Sequence, residues 1–470
     1  MNRLFVSAAH KSSGKTTLCI GLAAALAARG EAVQPFKKGP DYIDPLWLGR
    51  AAGRACYTLD PYLCGADELR AEFAARMRGA TLGLIEGNKG LYDGLDLHGS
   101  NSNAALAALL GAPVVLVIDA RGMTRGIAPL ILGFQAFDRA IRIAGVILNQ
   151  LGGARHEAKL RAVIEHYTDV PVLGAVQHDV RMAIDERHLG LVPENESTAA
   201  QARIDEIATR VAAQVDLERL RQVAGEAPAW PQAPAAAPGA SAAAGPRVRI
   251  GIARDAAFGF YYPGDLEALH AAGAELVFFD ALRDARLPPL DALFLGGGFP
   301  ETHMDALAAN ASMRAAVREA IESGLPAYAE CGGLMYLARR IEWKGRSAAM
   351  AGAIEADIVV HERPVGRGYV HLRETGLGPW PARAAGEAAL IRAHEFHYSS
   401  VENLAPGARF AYAVERGHGI DGRHDGLVHR NLVASYAHLR DVAAHRWTGR
   451  FVEFARRCAA QRACLAGAAA

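Results

Sequence analysis

Ala8-Ala9-His10-Lys11-Ser12-Ser13-Gly14-Lys15-Thr16-Thr17 stands between an apolar run, Leu4-Phe5-Val6, and a helix-forming one from Leu18 to Ala28. Strand, tight loop and helix, in that order, is the setting of a phosphate-binding loop. Gly14 would let the backbone approach a phosphate closely. The free N–H groups at the helix start, and the helix dipole, favour negative charge there. In this reading Lys15 reaches the β- and γ-phosphates and the Thr16 hydroxyl holds Mg²⁺, with Gly14 and Thr17 also against the nucleotide. The position five residues before Gly14, where the motif usually opens with Gly, holds Ala9. A Ser/Gly-rich turn capping a helix is the bland alternative, and the strand–loop–helix context favours the nucleotide.

Outward from this loop, 470 residues are too many for one ordinary core and predict two domains. A hydrophobic content of 51% supports globular folding. A net charge of +1 offers no basic field for nucleic acid. No apolar run reaches membrane-spanning length, and Met1-Asn2-Arg3-Leu4-Phe5 leads into a strand rather than a signal peptide. The expectation is a cytoplasmic protein with neither a membrane nor a nucleic-acid partner. Cys19, Cys56, Cys64, Cys331, Cys458 and Cys464 form no CxxC and read as free thiols.

Residues 225–246 are rich in Ala and Pro, lack a hydrophobic period and read as a tether. They separate a domain over 1–224 from one over 247–470. Strands near 4–8, 33–36, 82–86, 114–119, 145–149 and 172–176 fit a buried parallel sheet in the first half. Strands near 249–253, 275–279, 292–295 and 327–329 fit one in the second. Both halves are predicted to be doubly wound α/β domains with chemistry at the carboxyl ends of the strands.

In the first half the second strand runs into Lys37-Lys38-Gly39-Pro40-Asp41-Tyr42-Ile43-Asp44-Pro45, a loop punctuated by Gly and Pro. The third ends in Glu86-Gly87-Asn88-Lys89-Gly90-Leu91-Tyr92-Asp93-Gly94. An acid at the end of a strand beside the phosphate loop suits the hard-oxygen shell of Mg²⁺. Asp44 and Asp93 read equally well as solvated loop charges. Asn149, at another strand end, has an amide able to read an adenine edge.

The second half carries different chemistry. Leu293-Phe294-Leu295-Gly296-Gly297-Gly298-Phe299-Pro300-Glu301 is a strand entering a glycine turn. Tyr328-Ala329-Glu330-Cys331-Gly332-Gly333 is a strand, a sharp turn and a helix start, which presents Cys331 as a nucleophile and backbone N–H groups to an oxyanion. A helix start is expected to lower the thiol's pKa. His438, after Ser435-Tyr436-Ala437, supplies a base. His394, His397, His424 and His429 match no strong metal-ligand spacing and read as substrate contacts or structural histidines.

With these stretches assembled, the chain resembles the cobyrinate a,c-diamide synthase family over nearly its whole length. The motifs are 34–45, 86–94, Gly296-Gly297-Gly298-Phe299-Pro300-Glu301, 328–333 and His394-Glu395-Phe396-His397-Tyr398-Ser399. The resemblance implies an N-terminal domain of dethiobiotin-synthetase type, a P-loop NTPase-like fold. It implies a C-terminal domain of the class I glutamine amidotransferase type. The implied activity is ATP- and glutamine-dependent amidation of the a and c carboxylates of cobyrinate, or a related tetrapyrrole, in cobalamin biosynthesis. Cys331 attacks glutamine with His438 as base, and Gly298 and Gly332 line the oxyanion hole. Lys15 and Thr16 hold the nucleotide, while Asp41 and Glu86 join Thr16 around Mg²⁺. Lys37, Lys38, Tyr42, Asp44 and Asp93 fall on the substrate side. A homodimer is compatible with this reading.

Two positions depart from the family pattern. Where many class I amidotransferases carry Glu two residues after the catalytic His, this chain has Arg440, which predicts a Cys–His dyad rather than a full triad. Lys38, and His10-Lys11-Ser12-Ser13 in the loop, leave the macrocycle open. Siroheme or nickel-sirohydrochlorin a,c-diamide synthesis and a hydrogenobyrinate substrate are the alternatives. A P-loop partitioning or binding protein is a further one, but it needs neither Cys331 nor His438.

Overall fold

A strand of continuous apolar residues needs cover on both faces, and Arg3–Ala8 (β1) is buried along its whole length. The computed structural model describes residues 1–187, 190–231, 245–383 and 390–469. It divides into two units, Met1–Ala236 and Ala237–Ala470. Most of the predicted tether falls on 232–244, outside the described residues. Among the described residues no helix is long and apolar enough to cross a membrane.

In the first unit β1 is followed by α1 (Lys15–Ala27), β2 (Val33–Lys38), α2 (Ile43–Ala52), β3 (Tyr57–Leu59) and α3 (Ala66–Arg76). Then come β4 (Leu82–Glu86), α4 (Asn103–Leu110), β5 (Val114–Asp119), α5 (Ile127–Phe137), β6 (Ile143–Leu151), α6 (Ala154–Tyr167), β7 (Val172–Gln177), α7 (Ala200–Gln214) and α8 (Leu217–Gly225). The strand order is β3-β2-β4-β1-β5-β6-β7, and every pairing is parallel. One core lies under α1, α7 and α8 and includes Leu22, Ile207 and Leu220. The other lies under α3 to α6 and includes Phe73, Leu106, Ile131 and Leu160. Register then gathers the chemistry. Glu86 is paired with Val6 on one side and with Lys37 on the other, so β2, β4 and the loop after β1 end together.

The second unit contains β8 (Val248–Ala253), α9 (Pro263–Ala271), β9 (Ala274–Phe279), β10 (Ala292–Leu295), α10 (Ala311–Glu322), β11 (Ala327–Glu330) and α11 (Gly332–Leu337). It continues through β12 (Gly366–Glu374), β13 (Leu390–His397), β14 (Arg409–Arg416), β15 (His424–His429), β16 (Leu432–Ser435) and α12 (Trp447–Ala469). The sheet order is β9-β8-β10-β11-β16-β15-β14-β12-β13. Its first five strands are parallel and the rest antiparallel. This half is therefore wound only in part, and the antiparallel extension was not foreseen. The burial of β12 is intermittent, as a strand with one solvated face requires, and such strands lack the apolar runs that mark a parallel sheet. β3 was also missed, because three residues carry no readable period.

Candidate active sites

In the phosphate loop, Gly14 has φ +81°, and a Cβ there would lie 2.3 Å from Asn149 Nδ2. Only glycine meets both conditions without displacing a neighbour. Asn149 Nδ2 donates to Ser13 O at 2.9 Å, so its amide nitrogen braces the loop. Lys15 Nζ donates to Lys89 O at 2.7 Å. A cavity of about 540 Å³ opens on Gly14, Lys15, Thr16, Thr17, Asp44 and Asn149. Gln150, Gln177 and His178 from the ends of β6 and β7 line it too; no motif had drawn attention to these last residues.

Beside the loop lies a buried cluster. Lys37 Nζ is 2.5 Å from Asp44, 2.9 Å from Glu86 and 4.0 Å from Asp41. Thr16 Oγ1 lies 2.6 Å from Glu86, to which it donates, and 3.2 Å from Asp44. Burial acts to lower the Lys37 pKa, but the charges of Asp44, Glu86 and Asp41 outweigh it and hold the ammonium well above its usual range. Burial raises Glu86, and Lys37 opposes the shift.

The metal-side set divides in space: Thr16 reaches both Glu86 and Asp44, while Asp41 accepts the Asp44 N–H at 3.1 Å. Hard-oxygen donors of this kind suit Mg²⁺, and Glu86 Oε2 is buried with no hydrogen-bond partner. Among the described residues no group of three or more His, Cys, Asp or Glu is arranged to hold a metal. An ion here would complete its shell with water and phosphate oxygens, as Mg²⁺ commonly does.

The substrate-side residues scatter. Lys38 is buried, with Nζ donating to Asn88 at 3.2 Å; burial lowers its pKa to about 8, and Asp60 opposes this. Tyr42 is buried at the N-cap of α2. Asp93 is exposed and accepts the Gly90 N–H at 2.8 Å. Lys38, Tyr42 and Asp93 do not line the cavity beside Gly14.

In the second unit β11 ends in Glu330 and the chain turns at Cys331 with φ 46° and ψ −101°. That conformation is costly for a residue with a Cβ and is the mark of an imposed turn. The Cys331 N–H donates to Ser435 O at 2.7 Å, which binds the turn to the end of β16. His438 follows three residues later. A Cβ on Gly297 would lie 2.7 Å from His438 Cε1, and one on Gly332 would lie 2.9 Å from the Gly298 N. The glycine turn, the cysteine turn and the histidine are thus packed together.

Burial first, then Glu301, push the Cys331 thiol up, against a hydrogen bond from the Gly332 N–H. The expected lowering by the helix start is absent: α11 has six residues, and desolvation wins. Burial also lowers His438 to about 3. The resting pair is a thiol and a neutral imidazole.

Arg440 turns away from His438: its Nη1 donates to Asp265 at 2.7 Å and its guanidinium lies 4.6 Å from the centre of the Tyr262 ring. A carboxylate is nevertheless near the imidazole, since Glu330 Oε2 lies 3.4 Å from His438 Nδ1. The motif stretch contained Glu330, but its position before the nucleophile carried no signal of that contact. His394 stacks on His438 at 4.9 Å, and His397 stacks on Tyr436 at 3.7 Å. His424 and His429 pair with Asp421 and Glu322.

Residues 5–192 match the model of a CobQ/CobB/MinD/ParA nucleotide binding domain, and residues 249–442 that of a CobB/CobQ-like glutamine amidotransferase domain. A cobyrinate a,c-diamide synthase of Magnetococcus marinus is 48% identical over 450 residues, 95% of each chain. One of Methanosarcina acetivorans is 41% identical over 484 residues, 98% of this chain and 97% of its own. One of Methanosarcina barkeri is 38% identical over 481 residues, 97% of this chain and 96% of its own.

Proposed function

The chain belongs to the cobyrinate a,c-diamide synthase family, and on that premise we propose how its two units amidate the a and c carboxylates of cobyrinate with ATP and glutamine. The observation that carries the reading is the 48% identity extending over 95% of both chains, across both sites.

In the second unit Cys331 Sγ attacks the glutamine amide carbon while His438 takes the thiol proton. The N–H groups of Gly298 and Gly332 face the developing oxyanion. His438 returns the proton to the leaving nitrogen, ammonia departs, and water releases glutamate from the thioester. The neutral resting imidazole can accept that proton.

In the first unit Lys15 and Thr16, with Gly14, Thr17 and Asn149, hold the ATP phosphates and base. A substrate carboxylate attacks the γ-phosphorus to give an acyl phosphate, and ammonia displaces phosphate from it. Thr16 and Glu86, with Asp44 or Asp41, would hold Mg²⁺, whose chemistry here is to neutralise charge on the phosphate oxygens. Lys37, near the end of β2, holds Asp44 of α2 and Glu86 at the end of β4. Lys38, Tyr42 and Asp93 fall on the substrate side, where Lys38 is the group able to meet one of the macrocycle's other carboxylates; Lys37 and Asp44 border that side from their shared cluster. The same reading makes this a cytoplasmic enzyme without a membrane or nucleic-acid partner, and it is compatible with a homodimer.

The test is mass spectrometry of products after incubation with cobyrinate, ATP, Mg²⁺ and glutamine. Two successive carboxylate-to-amide exchanges are expected. Amidation of a sirohydrochlorin-type macrocycle with none of cobyrinate would overturn the substrate assignment.

A further inference from the structure

The glutaminase pair contains a third group that the residue spacing hid. Glu330 ends β11, immediately before Cys331, and its side chain is as buried as that of His438. Glu330 Oε1 accepts two hydrogen bonds, from Tyr328 Oη at 2.7 Å and from the Leu439 N–H at 2.8 Å. Leu439 directly follows His438, so the backbone carrying the imidazole also holds the carboxylate. With Oε1 held in this way, Oε2 is left facing His438 Nδ1 at 3.4 Å. Such contacts are often long before substrate binds and tighten during reaction.

We infer that Glu330 is the positioning residue for His438, holding Nδ1 as the N–H donor so that Nε2 is the nitrogen that takes the Cys331 proton. The function met two residues after the histidine in many triad-type enzymes is here met by the residue before the nucleophile. The change is consistent with Arg440, whose charge is committed to Asp265. This inference rests on the reading of Cys331 and His438 as the glutaminase pair.

The groups around the imidazole come from several elements. Glu330 approaches from β11 and the His394 ring from β13. His397 opposes protonation of His438 by its charge. Tyr262 lies between His394 and Arg440. Within this setting Glu330 and His438 bind their first proton as a pair. Burial pushes Glu330 up to about 8, against the Tyr328 and Leu439 hydrogen bonds, and lowers His438 to about 3. Glu330 accepts from Nδ1 only as a carboxylate, so the acid limb of glutaminase kcat/KM is expected to belong to the pair.

The experiment measures glutamine hydrolysis against pH in the full chain. Glu330→Gln presents an N–H₂ to Nδ1 and selects the wrong tautomer. It is expected to lower kcat by roughly 10²-fold with little change in the KM for glutamine, and to move the acid limb to lower pH by more than one unit. Glu330→Asp, which keeps the charge, is expected to recover part of the rate. Tyr328→Phe keeps the ring in its aromatic cluster but removes a donor to Oε1. Its acid limb is expected to move to higher pH, opposite to that of Glu330→Gln, and it keeps the inference testable if Glu330→Gln does not fold. Wild-type kcat and an unmoved limb in a folded Glu330→Gln, or an unmoved limb in Tyr328→Phe, would overturn the inference. Cys331→Ala is the control: glutamine hydrolysis persisting there would remove the glutaminase reading itself, whereas its loss beside an unaffected Glu330→Gln would remove only the role of Glu330.

Discussion

Cys331 is a strained, buried thiol, and its chemistry is set by neighbours more than by its own acidity. Desolvation holds its pKa up, so in the proposed mechanism it becomes a nucleophile only as His438 accepts its proton. Cys331→Ala is therefore expected to abolish glutamine-dependent amidation while ammonia-dependent amidation continues, because the two nitrogen sources meet different units. Steady-state rates with glutamine and with ammonium salt measure this, and glutamine-dependent turnover at the wild-type rate would refute it. The residue scale also explains Asn149. Its position at a strand end suggested contact with adenine, and its amide nitrogen also holds the Ser13 carbonyl. A local motif identifies the residue type but leaves open which of several polar neighbours it meets.

Among the elements, β2 decides the environment of two adjacent lysines. Neighbouring residues on a strand point to opposite faces, which sends Lys37 toward Asp44 and Glu86 and Lys38 toward Asn88. Both faces of this strand are covered, so neither lysine reaches solvent. Lys38 is therefore not a solvent-facing charge. Its folded pKa of about 8 lies below the ordinary 10.5. Below pH 8 both states carry the charge, and the folded state bears the cost of burying it. Between pH 8 and 10.5 the unfolded chain holds the extra proton, so stability rises with pH. Lys38→Met is expected to stabilise the first unit at pH 7 by at most about 3 kcal/mol, the gain fading toward pH 10.5. Urea unfolding at several pH values tests the sign, and a gain that grows with pH would contradict it. If Lys38 also meets a substrate carboxylate, the same variant raises the KM for the macrocycle, leaves those for ATP and glutamine nearly unchanged, and alters the preference between corrinoid and sirohydrochlorin-type substrates. Equal effects on all three would remove that role.

At the scale of the whole molecule, two chemistries occupy two units, Met1–Ala236 and Ala237–Ala470. Lys15→Ala is expected to abolish amidation with either nitrogen source, because it removes charge stabilisation from the transferring phosphoryl group, an effect worth several kcal/mol in such sites. Full ammonia-dependent activity in that variant would show that the loop is not the synthetase site. The amino-acid sequence by itself determined the two α/β units, the parallel strands and the turns that bear Gly14, Lys15 and Cys331. These follow from local causes: apolar runs long enough to be buried on both faces, and glycines where the backbone must turn or approach closely. It also marked His438, because a histidine beyond an apolar strand end is visible locally. Only the tertiary structure decided that Glu330, 109 residues before Leu439, accepts the N–H of the residue next to His438. Only sheet register brought Glu86 to Lys37 across 49 residues, and only burial made Cys331 a resting thiol. Strand pairing, the two-faced cover of β2 and desolvation are sums over residues distant in the chain, and no short stretch carries them.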